Sequence, residues 1–154
     1  MHFRAANEAD IRILAQLRWD FHCEGSLNPP LEPQDQFMRN CEAFLRDGLA
    51  GGAWTCWIAE DDTIIVAHIF VHLFHPIPRP DRPIDNYGYM TNVYTKPAYR
   101  NRRVGAMLMQ RVIAWARARD VAFLMVSPSE RSIPFYRRAG FADQTEWFQL
   151  TLRS

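Results

Sequence analysis

The chain has 154 residues, of which 48% are hydrophobic, 23% charged and 13% aromatic, and this excludes a disordered or collagen-like polymer. Its 18 basic and 17 acidic residues leave a formal charge of +1, so it is no polycation built to coat nucleic acid. Cys23, Cys41 and Cys56 are odd in number, widely spaced and form no Cys-x-x-Cys pair. Neither a disulfide framework nor a metal site is expected, and the cytoplasm is the expected location. The start, Met1-His2-Phe3-Arg4, has no apolar signal core. No run approaches the roughly 20 apolar residues of a membrane helix, so a membrane partner is not expected.

Residues 3 to 6 read as a short strand. Asn7 is placed to cap a helix, with Asp10 three residues on in an approximate capping box, and Ile11, Leu14, Leu17, Trp19 and Phe21 carry that helix to about His22. Turn formers from Cys23 to Pro30 break it. A second helix is predicted from Pro33 to about Asp47 on the stripe Phe37, Met38, Cys41, Phe44 and Leu45, with Gly48 as its C-cap. The period then switches to two: residues 54–60 and 63–74 read as an antiparallel hairpin about Asp61-Asp62. Its second strand is apolar almost throughout, which implies burial on both faces. A proline-rich loop (75–83) precedes a strand over 87–95. A long helix (about 103–119) follows on Val104, Met107, Leu108, Val112, Trp115 and Ala116, with Arg117 and Arg119 complementing its C-terminal dipole. A strand (121–127), a short helix (about 133–139) ending at Gly140, and a last strand (143–152) complete the chain. Trp147 and Phe148 point to opposite faces of that last strand, so one is free for a subunit contact and a homodimer is one expected assembly.

The chemistry concentrates at Tyr99-Arg100-Asn101-Arg102-Arg103-Val104-Gly105-Ala106, between a strand and a helix. A helix N-terminus already carries partial positive charge, and a cation in its first turn is disfavoured by about 0.3–1 kcal/mol. Arg100, Arg102 and Arg103 nevertheless crowd it. One explanation is an anion held on free backbone N–H groups, with Gly105 allowing close approach; the alternative is a solvated basic loop.

The segment resembles the acyl-CoA pyrophosphate loop of the GCN5-related N-acetyltransferase (GNAT) family, written Arg/Gln-x-x-Gly-x-Gly/Ala. Arg100 matches the first position and Gly105 the last, whereas Arg103 replaces the middle glycine. Upstream, residues 89–100 resemble that family's fourth strand and its lead into the loop; downstream, Pro134 to Phe141 resembles its fourth helix, ending in Gly-Phe. The resemblance implies one α/β domain over residues 1–154, with a splayed, mostly antiparallel mixed sheet of six to seven strands and about four helices. Acetyl-CoA would be the acyl donor, no metal would take part, and the partners would be acetyl-CoA and an amine acceptor. The N–H groups of Arg102, Val104, Gly105 and Ala106 would hold the pyrophosphate, with the arginines Arg100, Arg102 and Arg103 completing its shell, and the pantetheine arm would pair with Val93 and Thr95 as a pseudo-strand.

The resemblance further implies direct attack of a primary amine on the thioester, with a backbone N–H of Val93 or Tyr94 as oxyanion donor. Tyr136 stands where a tyrosine protonates the departing sulfur in many relatives. Ser129 takes the place of an asparagine seven residues earlier and is a candidate for the cofactor arm or for an N-cap, for which Ser132 competes. For the general base the candidates are Glu24, His22, His68, His72, His75 and Asp85; Glu24 is favoured, as base or as acceptor contact, because the loop between the first two helices walls the acceptor site in this family. His68 and His72 also fit a hydrogen-bonded core. Glu24, Glu32, Asp35, Asp81 and Asp85 in the framing loops suit a cationic acceptor. The alternatives are a non-catalytic acyl-CoA-binding regulatory module and, on the arginine loop alone, a nucleic-acid binder. No nucleic-acid partner is expected, because the charge balance is near neutral.

Overall fold

A computed structural model describes residues 1–81, 86–144, 150 and 152. Strand β1 (His2–Ala5) leads into a turn of 3-10 helix and then helix α1 (Ile11–Gly25). The start of that helix is locked locally: the Asn7 side chain accepts from the Ala9 amide at 2.9 Å, and Asp10 accepts from the Asn7 amide at 2.8 Å. Arg4 then donates to both Asp10 (2.7 Å) and Glu60 (2.6 Å), tying β1 and the helix entry to the neighbouring strand. The capping box read from sequence is present.

Helix α2 (Gln34–Ala50) follows, then strands β2 (Trp54–Asp61), β3 (Ile64–Phe74) and β4 (Tyr87–Thr95), helix α3 (Val104–Arg117), strand β5 (Phe123–Val126) and helix α4 (Ile133–Arg138). The sheet order is β1-β2-β3-β4-β5, antiparallel except for the β4–β5 pair, whose parallel crossover is α3. Five strands are thus present among the described residues. The expected last strand, with Trp147 and Phe148, falls largely on residues 145–149 and 151, outside the described residues.

Strand β3 is the middle of the sheet, and Ile65 to Val71 are all buried. Ala67, Ile69 and Val71 face α3, packing with Leu108, Met109 and Val112; Ile65 and Phe70 join Leu14, Leu17 and Leu45 of α1 and α2 on the opposite side. Helices on both faces explain the unbroken apolar run.

Two helix ends differ from the sequence reading. Helix α1 continues through Cys23-Glu24-Gly25, because Glu24 is anchored by tertiary contacts that outweigh weak helix formers. Gly48 is inside α2, which ends at Ala50 with Gly51 as C-cap. A Cβ at Gly48 would meet the Trp54 ring at 2.9 Å, so this glycine serves a close helix–strand approach. Among the described residues no helix is long and apolar enough to cross a membrane.

Candidate active site

The site begins with a mismatch between the two edges of β4. On the β3 side, pairing runs from Tyr87 to Thr95; on the β5 side, it stops at Met90↔Val126. From Thr91 onward, β4 has no strand partner on the β5 side among the described residues. The β3–β4 register also slips between His68 and Phe70, and Asn92 adopts φ +49°. An extra residue of this kind twists a strand and re-aims its backbone. Val93, Tyr94 and Thr95 therefore lie where β4 runs on past its last β5 partner, a gap in the pairing between the two strands among the described residues.

The arginine loop closes one end of that gap. Asn101 and Arg103 are both left-handed (φ +60° and +62°), and Arg103 is the N-cap residue of α3 without a side-chain cap. A left-handed non-glycine residue costs about 1–2 kcal/mol, less for asparagine. Arg103 thus adopts the backbone shape that the middle glycine would supply. The first turn of α3, from Val104 through Ala106, contains no acidic residue. Gly105 lies against its own fold: a Cβ there would meet Thr95 Oγ1 at 3.2 Å and the Phe135 ring at 3.6 Å. Arg102 lies over the Tyr99 ring at 5.5 Å, and the Tyr99 hydroxyl donates to Asp61 at 3.0 Å.

Arg100 turns inward. Its Nε donates to the Thr95 carbonyl at 3.0 Å, and its Nη1 pairs with Glu24 at 2.5 Å. The Tyr94 hydroxyl donates to the other Glu24 oxygen at 3.1 Å. The Arg100 guanidinium holds the Glu24 carboxyl below its ordinary range, while burial and then Glu24 push Tyr94 up to about 12. Glu24, Tyr94, Thr95 and Arg100 are thereby brought together. The network joins residues 70 apart in sequence, and no local motif announces it.

Tyr136 sits on α4, 6% exposed, with Phe135 and Phe141 edge-on at 5.2 and 5.6 Å. Its hydroxyl makes no hydrogen bond among the described residues, and burial raises its pKa to about 12, with Tyr89 of β4 adding to the shift. The proton is retained at neutral pH. The Ser132 hydroxyl donates to the Ser129 carbonyl at 2.8 Å, and the two hydroxyls are 3.1 Å apart. Neither serine caps a helix through its side chain, because each is engaged by the other.

The remaining base candidates are dispersed. His68 is fully buried, without a hydrogen-bond partner for either nitrogen among the described residues, and desolvation lowers its pKa to about 3. It is a core residue, but not the hydrogen-bonded one expected. His72 is wedged between Trp54 and Phe74, and His75 shares a 2.9 Å hydrogen bond with Asn86. His22, on α1, has a buried Nε2 with no hydrogen-bond partner among the described residues. Asp85 lies outside the described residues.

On the opposite face of the sheet from α3, next to the Asn92 bulge, is a cavity of about 290 Å³. Phe37 and Phe44 of α2, Trp54 and Phe70 line it. Sequence periodicity assigned the α2 rings to a core stripe; a period identifies the inward face, not whether the space behind it is filled.

A mixed sheet opened between two parallel strands, with an uncapped helix N-terminus at one end and a buried phenol close by, is the architecture of an acyl-CoA-dependent acyltransferase. The model of the acetyltransferase (GNAT) family matches residues 13–141, and the chain belongs to that family. It is similar to a predicted acetyltransferase from Clostridium acetobutylicum solved with acetyl-CoA, at 25% identity and TM-score 0.82, over 98% of this chain and 96% of that one. A GCN5-related N-acetyltransferase from Ralstonia eutropha JMP134 is similar at 25% identity and TM-score 0.78, over 97% of each chain. A comparison with curated proteins gave no match.

Proposed function

We propose that residues 1–154 act as one acyltransferase domain that moves the acetyl group of acetyl-CoA directly to a primary amine in a ternary complex. The observation that carries this reading is the β4–β5 gap ending at the bare N-terminus of α3 among three arginines. The acetyl-CoA in the Clostridium protein supports the same donor here.

In this reading the N–H groups of Arg102 to Ala106 take the pyrophosphate, which offsets the cost of the left-handed Arg103 and of cations at a positive helix end. The free edge of Val93 and Thr95 pairs with the amide groups of the pantetheine arm, and Ser129 and Ser132 flank that arm. The ammonium gives up one proton to solvent, its freed lone pair forms the C–N bond at the thioester carbon, and the nitrogen gives a second proton to solvent before the intermediate collapses. The carbonyl oxygen becomes an oxyanion facing the Val93 or Tyr94 amide beside the bulge. Collapse breaks the C–S bond, sulfur keeps the electron pair, and the Tyr136 hydroxyl donates its proton to it. Solvent then returns a proton to the tyrosinate. Glu24, weakened as a base by Arg100, holds Arg100 and Tyr94 in position and borders the acceptor side.

The test is a free-thiol assay of CoA release over an amine panel, with thermal unfolding in parallel. Acetyl-CoA should stabilise the protein by about 2.7 kcal/mol at a hundredfold excess over its Kd. Stabilisation without thiol release on any amine would favour a non-catalytic acyl-CoA-binding module, and no stabilisation would overturn both readings.

A further inference from the structure

The cavity beside Asn92 has unusual walls. At about 290 Å³ it lies at the lower limit of the roughly 300–1,000 Å³ typical of small-molecule sites, so it suits a small acceptor rather than a chain. Four aromatic rings ask for an apolar body. Two charges also line it: Arg18 of α1 and Glu32 of the loop between α1 and α2. Arg18 is half-buried and has neither an ion pair nor a hydrogen bond among the described residues; its one described contact is with the Phe21 ring, at 5.7 Å. Its charge is felt inward: it adds to the desolvation that lowers the His68 pKa, and it partly opposes the desolvation that raises the Cys41 thiol. Glu32 accepts a hydrogen bond from Asn40 at 3.2 Å and does not pair with Arg18.

Two opposite charges kept apart on the walls of an apolar cavity are costly unless something between them completes both. A simple alkylamine supplies a cation but nothing for Arg18. An amino sugar leaves the rings uncovered. We propose, resting on the transferase reading above, that the acceptor is a free amino acid with a large apolar or aromatic side chain, its carboxylate on Arg18 and its side chain among the rings. The guanidinium fork matches a carboxylate in two-pronged geometry. Glu32 supplies the counter-charge that draws the ammonium in. The α-ammonium then gives up a proton to solvent, its nitrogen forms the C–N bond with the acetyl carbon, and the C–S bond breaks. The products are an N-acetyl amino acid and CoA thiol, with net release of one proton. Acetylation removes the charge that Glu32 attracts, which favours product release.

The experiment compares kcat/KM for CoA release with L-phenylalanine, phenethylamine (no carboxylate), L-alanine (no apolar body) and glucosamine. Phenylalanine should exceed each of the others by about tenfold or more, the worth of a charged hydrogen bond. Arg18→Gln should lower the phenylalanine value about ten- to hundredfold, towards that of phenethylamine, and Arg18→Lys should recover part of it. Equal use of phenethylamine or glucosamine by the wild type, or an Arg18→Gln protein that keeps the preference, would overturn the proposal. Thermal stabilisation by acetyl-CoA separates the two layers. If it is present while phenylalanine fails, Arg18 is misassigned; if it is absent, the transferase reading and this proposal fall together. If no amine releases CoA, calorimetric titration of phenylalanine into the CoA-loaded protein decides, and no binding overturns the proposal.

Discussion

Replacing His68 by leucine tests whether the buried imidazole belongs to the core or to the chemistry. The folded protein keeps this ring neutral down to about pH 3, whereas the unfolded chain protonates it near 6.5. Between those values the unfolded state binds more protons, so stability falls as the pH drops through the window, by up to about 1.4 kcal/mol per unit. From pH 7 to pH 5 that amounts to about 2 kcal/mol for this one group. Asp10, Glu24 and Glu60, held low by Arg4 and Arg100, contribute to acid sensitivity in wild type and variant alike, so the difference isolates His68. Urea unfolding at the two pH values should show His68→Leu losing about 2 kcal/mol less than wild type. The variant should also be no less stable at pH 7, because it removes two unpartnered nitrogens from the interior. Parallel pH slopes for the two proteins, or a His68 ring that titrates near 6.5 by NMR in the folded state, would refute the reasoning and return His68 to the list of bases.

Three further outcomes follow from the site. Tyr136→Phe should lower kcat about a hundredfold while leaving the acetyl-CoA Kd nearly unchanged, since general acid catalysis is worth about that much and the hydroxyl makes no hydrogen bond with described residues; stopped-flow turnover with calorimetry separates the two. Glu24→Gln should lower turnover less than about tenfold and leave the acid limb of the pH–rate profile in place, because a carboxylate held low by Arg100 is a weak base; loss of that limb would make Glu24 the base. Gly105→Ala places a methyl 3.2 Å from Thr95 Oγ1, and overpacking of about 1–3 kcal/mol outweighs the helix-propensity gain of about 1 kcal/mol. Urea unfolding should show a net loss of about 1 kcal/mol, with weaker stabilisation by acetyl-CoA.

Legibility in the sequence followed the range of the interactions. The Asn7–Asp10 box and the apolar run of β3 are set by neighbours in the chain, and both were readable. The arginine loop stood out because its charges oppose the helix dipole. Its left-handed Arg103 was less visible, since only a glycine would have advertised that conformation. The Glu24–Tyr94–Arg100 network could not be read, because it forms only when the end of α1 meets the end of β4. For the same reason α1 appeared to stop at His22. Gly48 resembled a C-cap because the Trp54 ring that demands it lies on another element. The cavity beside Asn92 was hidden in a stripe of aromatic residues whose spacing is the same whether they fill a core or border a void.

The central claim is that the first turn of α3, entered through Arg102 and Arg103, holds the pyrophosphate of acetyl-CoA. A crystal structure of the protein with acetyl-CoA tests it most directly. The account predicts phosphate oxygens within hydrogen-bond distance of the Val104, Gly105 and Ala106 amides, the pantetheine arm along the free edge of β4, and the sulfur within reach of the Tyr136 hydroxyl. Acetyl-CoA bound with its pyrophosphate away from that turn, or not bound between β4 and β5 at all, would contradict it.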